Sequence, residues 1–209
     1  MSRARRTQFV ISVVVAVCGC LITRDKQGQE SQSPRIAVNE AALRDGDVIL
    51  LRTSSVRGLF VRVTDNAGDF THAGIVRRRG GVVDVVHADP ERGLDGNRAV
   101  RRVSLAAFAN DARASDVAVF RLRDERNGAA RAAAEWAGVQ AQKAVPFDEH
   151  FNLEDSTALY CTELLWRAFG HAGIRVAVTE RRPFRLQSAR ESVVLVSAFE
   201  QRTELVRVR

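Results

Sequence analysis

Three side chains could do chemistry together: Cys161, His72 and His87. The two histidines end the β-branched runs of "THAGIVRRRGGVVDVVHA", the clearest hairpin in the chain. With Arg78 to Gly81 as the loop, Val82 pairs with Arg77 and His72 lies directly across from His87 on one face. Val76, Val83 and Gly74 share that face, the glycine leaving open space beside the rings; Ala73, Ile75, Val82, Val86 and Ala88 share the other. Two imidazoles at close range resist being charged together. One ring N–H can instead donate to the other ring and leave a free nitrogen as a base, the base-and-orienter half of a catalytic triad. The alternative is a pair of core histidines bonded to backbone. A one-residue slip in the loop would send them to opposite faces.

Cys161 opens the helical stretch of "DSTALYCTELLWRAF" and shares a stripe with Leu164, Leu165 and Ala168. Two readings fit. A thiol on that stripe is inert packing, or it is a nucleophile whose pKa the helix N-terminus lowers and whose neighbouring N–H groups hold an oxyanion. Ser156 or Thr157 is expected to cap the helix, and Glu163 complements its dipole. Zinc would need two further ligands. Asp84 lies on the wrong face, and His150, Asp148 and Glu149 sit in a distant loop. No metal or cofactor is expected. His171 reads as a helix-end cap and His150 as a surface residue.

The elements that must position these groups follow from patterning. "AALRDGDVILLRT" gives a turn and the strand Val48 to Leu51; a short helix is expected from Ser54 or Ser55 to Asn66. "AVRRVSLAAFAND" reads as strand then helix, "SDVAVFRLR" as strand, and "NGAARAAAEWAGVQAQKA" as a helix capped by Asn127. "VPFDEHFNLEDSTA" is a loop long enough to suspect function. "SVVLVSAF" and "TELVRVR" alternate as a last strand would. Strands first and helices later favour α+β, an antiparallel sheet packed by helices on one side.

The first stretch stands apart. "MSRARRT" and the apolar "QFVISVVVAVCGCLI" make residues 1–19 an export signal. "VCGC" resembles a lipoprotein lipobox with Cys20 as the lipidated residue, although Cys18 stands where a small or aliphatic residue is usual. Residues 20–40 read as a polar tether and 41–209 as the domain. Cys161 is then the one thiol of the exported domain, and exported chains normally pair their cysteines, which flags it as reactive. Three of the seven net positive charges, Arg3, Arg5 and Arg6, leave with the signal. The rest are scattered among acids, so nucleic acid is not an expected partner.

"GDVILL", "THAGIV", "VVHA", "VSLAAF", "PFD" and "YCTELLW" occur in an order that resembles the circularly permuted NlpC-type cysteine peptidases of the YiiX and YaeF group. The resemblance runs from about Leu43 to Ala172. It implies a papain-like fold with the nucleophile, Cys161, at a helix N-terminus, His72 as base, His87 as orienting residue and Tyr160 lining the oxyanion site. It also implies a cysteine hydrolase acting on an amide bond, with peptidoglycan peptide as the default substrate, on the periplasmic side of a bacterial envelope and tethered by a lipid anchor. Permuted relatives similar to lecithin:retinol acyltransferase make lipid acyl transfer or deacylation the alternative. A non-catalytic envelope binding module is the third possibility.

Overall fold

The computed structural model describes residues 37–54, 65, 68–91, 97–111, 113–123, 127–176, 179–181, 191–201 and 205–208. They belong to one compact unit, Pro34–Arg209. The expected signal, the lipidation residue Cys20, most of the tether and the expected helix from Ser54 or Ser55 lie outside the described residues. Among those described, no helix is long and apolar enough to cross a membrane.

A 3-10 turn at Glu40–Ala42 leads to β1 (Val48–Thr53), β2 (His72–Arg79), β3 (Val82–Ala88), β4 (Val100–Ser104), α1 (Leu105–Ala109) and β5 (Ala114–Leu122). Then come α2 (Asn127–Gln142), α3 (Cys161–His171), β6 (Thr179–Arg181), β7 (Glu191–Val193), α4 (Ser197–Glu200) and β8 (Leu205–Arg207). Six strands form one sheet in the order β4-β3-β2-β1-β5-β8, every neighbouring pair antiparallel. The α+β class and the antiparallel sheet expected from the sequence are both present.

Central strand β1 is buried at Val48, Ile49, Leu50 and Leu51 alike, because both faces of the sheet are covered. On one face Val48, Leu50, Ala73, Ile75 and Val86 meet Ala133, Ala134 and Ala137 of α2 and Leu164, Leu165 and Ala168 of α3. The alanines let α2 lie close: at Gly46 (φ +81°), in the turn before β1, a Cβ would stand 2.3 Å from the Ala130 carbonyl oxygen. On the other face Ile49, Leu51, Val76, Val83 and Val85 pack with Leu105 and Phe108 of α1. Helices were expected on one side only. The short α1, capped by the Ser104 side chain accepting from Ala107 N–H, closes the second face, which two apolar faces require.

In the tail, "TELVRVR" does supply a last strand, β8, paired with β5, but "SVVLVSAF" departs from the expectation. Residues of "SVVLVSAF" split between β7, paired with β6 in a separate ribbon, and α4. Asp65 accepts the Ser197 N–H at 2.8 Å and Phe199 is fully buried, so tertiary contacts override the alternation.

Candidate active site

The site begins with a turn. Gly80 and Gly81 both have positive φ, +56° and +84°, so the hairpin closes through a two-residue primed turn. Arg79 therefore pairs with Val82, and the ladder ends at Ile75 opposite Val86. This corrects the expected four-residue loop: the strands slide by two residues, and His72 and His87 are not directly opposite. A slide of two preserves side-chain parity, so both rings stay on one face as diagonal neighbours. His72 Nε2 lies 2.9 Å from His87 Nδ1, the ring planes 80° apart. Phe108 of α1 packs on both, with centroids 5.6 and 5.1 Å away. The space expected beside Gly74 is filled: a Cβ there would stand 2.5 Å from Val85 Cγ1 and 3.2 Å from Phe108 Cζ.

The sulfur arrives where this ladder opens. Val76 N–H donates back to Asp47 on the β1 side, so by alternation the Ala73 N–H points toward β3. The β2–β3 pairs stop at Ile75, and the Ala73 N–H lies near enough to the Cys161 thiol to pull its pKa downward. Cys161 is the first residue of α3 and is unpaired. Its sulfur thus lies by the backbone of the residue after His72. Because His72 Nε2 is engaged by His87, Nδ1 is its remaining ring nitrogen. Cys161 and His72 stay partly accessible, whereas His87 is 8% exposed and its Nε2 has no partner among the described residues.

Electrostatics make this a neutral site at rest. Burial pushes the His72 pKa down to about 3, helped by the His87 charge. Burial and then the Arg101 charge bring His87 down to about 4. The Cys161 thiol is pushed up to about 11 by burial, against the pull of N–H donors from Ala73, Thr162 and its own backbone. The helix-terminal lowering expected from the sequence is therefore reversed: the N–H groups do pull downward, but desolvation of the thiolate outweighs them.

Neither Ser156 nor Thr157 caps α3; Thr157 instead donates to Asp155. The N-cap is Tyr160, whose backbone N–H reaches Glu163 Oε2 at 3.4 Å. Tyr160 is 2% exposed. Its hydroxyl accepts the Val194 N–H at 2.9 Å and its ring packs on Phe151, centroids 5.0 Å apart. The hydroxyl is occupied in tying α3 to the chain before α4. His150 is exposed, its N–H held by Asp148. His171 ends α3 beside Trp136.

Sequence reasoning missed Phe108, the ring that seats both histidines, and the buried Glu163–Arg167 pair, bonded at 2.8 Å. The i,i+4 spacing of that pair, starting at the third helical residue, was the available signal.

The family described as permuted papain-like amidase enzyme, YaeF/YiiX, C92 family, matches residues 42–192. No curated protein matches the chain. Among solved structures, the crystal structure of metalloprotein YiiX from Escherichia coli O157:H7 is 19% identical over 79% of this chain and 96% of that one, with a TM-score of 0.64, a likeness of fold. That neighbour is described as a metalloprotein; among the described residues here no group of three or more His, Cys, Asp or Glu side chains could hold a metal ion. With most of its length matched, the chain belongs to the permuted papain-like cysteine amidases of the YaeF/YiiX type.

Proposed function

We propose that Cys161 is the nucleophile, His72 the general base and acid, and His87 the residue that orients His72. The substrate is an amide bond of a peptidoglycan peptide. What supports the reading is one observation: the paired imidazoles, bonded at 2.9 Å, stand at the open end of the ladder, where the Ala73 N–H acts on the only free thiol among the described residues.

In this reading His72 donates Nε2–H to His87 and turns the lone pair of Nδ1 toward the thiol. As the sulfur attacks the carbonyl carbon, its proton passes to Nδ1 and the carbonyl becomes an oxyanion. The new charge on His72 is shared with His87 Nδ1. Collapse of the adduct breaks the C–N bond, and His72 gives its proton to the leaving amine. Water then enters, loses a proton to His72 and releases the acid from the thioester, restoring the thiol. A thiol protonated at rest makes deprotonation simultaneous with attack, so no thiolate–imidazolium pair is needed beforehand.

By its N-terminal sequence the protein works on the periplasmic side of the envelope, anchored through Cys20. Purified protein incubated separately with muropeptides and with phospholipids, and scored by mass spectrometry, tests the substrate. The expected result is amide cleavage in the muropeptides alone; phospholipid deacylation in their place would overturn it.

A further inference from the structure

Glu163 has no exposed surface, yet it carries a carboxylate two residues after the nucleophile. One oxygen accepts the Tyr160 N–H. The other accepts from Arg167 Nε at 2.8 Å. Arg167 reaches on: Nη2 donates to the Leu153 carbonyl at 2.8 Å and to the Asp155 carbonyl at 3.2 Å. The loop before α3 is held from its other end as well. Asp148, 6% exposed, accepts the N–H groups of His150 and Asn152. Phe151 takes a left-handed φ of +56° to lay its ring on Tyr160, a conformation that persists only where surrounding contacts hold it.

The geometry points to Glu163 and Arg167 as positioning residues: together they latch the 152–155 segment against the first turns of α3 and so fix Tyr160 and the helix start that carries Cys161. Neither touches the reacting atoms; both act through Tyr160 and the loop. The charged and titratable groups facing Glu163 are Arg167, Asp148 and the Tyr160 hydroxyl, with Cys161 next along the helix. Burial pushes the Glu163 carboxyl up to about 7, against the pull of Arg167. The carboxyl is therefore protonated more readily in the latched state than in an open, solvated one, so the latch is favoured, not opened, as pH falls from about 7.

The kinetic half of the test rests on the amidase reading; the structural half does not. With a disaccharide-tetrapeptide muropeptide as probe, Glu163→Ala should lower kcat/KM at pH 8 at least about tenfold, mostly through kcat, because the loop loses its hold. Glu163→Gln keeps an acceptor for the Tyr160 N–H and for Arg167, so it should recover most of that loss. Arg167→Lys cannot span Glu163 and both loop carbonyls. At pH 8 a glutamyl endopeptidase should cut it after Glu149 or Glu154 at least about fivefold faster than the wild type. Wild-type kcat/KM in Glu163→Ala, or an unchanged cutting rate in Arg167→Lys, would overturn the latch. Failure of the muropeptide to turn over would refute the substrate and leave the cutting rate to decide.

Discussion

The two ends of the β2–β3 ribbon are built from one pair of strands and could hardly differ more. At the tip, Gly80 and Gly81 close a tight turn, pairing is regular and Val82 is 57% exposed. At the base, pairing stops at Ile75, the imidazoles pack on Phe108, and a backbone N–H that should serve the ladder faces a sulfur. The tip does no chemistry, but its turn length fixes the register, and the register fixes which face the histidines share. The base gives up ladder hydrogen bonds and buries two titratable rings. Regular pairing lies at one end and the reactive groups at the other.

The sharpest way to break the base is Cys161→Ala, predicted to lower kcat/KM by at least about 10⁴-fold while the domain stays folded. His72→Ala should cost about 10³-fold, the loss of a positioned base. The tip can be tested for its control over the base by inserting one glycine between Gly80 and Gly81. A slip of one residue would turn His87 to the α2–α3 face, so activity should fall about as far as in His72→Ala; retained activity would show that a bulge absorbs the insertion and that register is not what aligns the rings.

Stability against pH gives a smaller effect. His72 and His87 have folded pKa values of about 3 and 4 against 6.5 unfolded. Between those limits the unfolded state binds more protons, so stability is complete above about 6.5 and declines as pH falls toward 4. Glu163, raised to about 7, acts in the opposite sense, favouring the fold as pH falls from 7 toward 4.5. His87→Gln should flatten the histidine part of the slope in chemical unfolding curves taken from pH 7 to 4. Val82→Lys, at the exposed tip, should change stability by less than about 0.5 kcal/mol and leave kcat/KM alone.

How far the sequence reached follows from the same contrast. Parity survives a two-residue error, so the shared face of His72 and His87 was legible even though the turn was misjudged. The glycine pair was visible, but a longer loop around it fitted the arginine run equally well. The thiol's shift was illegible because it is a competition. The helix terminus is local and readable, whereas desolvation comes from packing on β2, distant in sequence. The tail was misread because Ser197–Glu200 owes its helix to Asp65, more than a hundred residues earlier. Glu163 was read as a dipole partner, although its larger connection, through Arg167 to the loop, appears only once Leu153 and Asp155 are in place.

The account stands on Cys161 acting as the nucleophile with His72 as its base. Intact-mass analysis of the wild type, quenched in acid during turnover of a muropeptide and followed by peptide mapping, tests this most directly. The account predicts an acyl adduct on Cys161 that is absent from His72→Ala. Turnover by Cys161→Ala, or an adduct on any other residue, would contradict it.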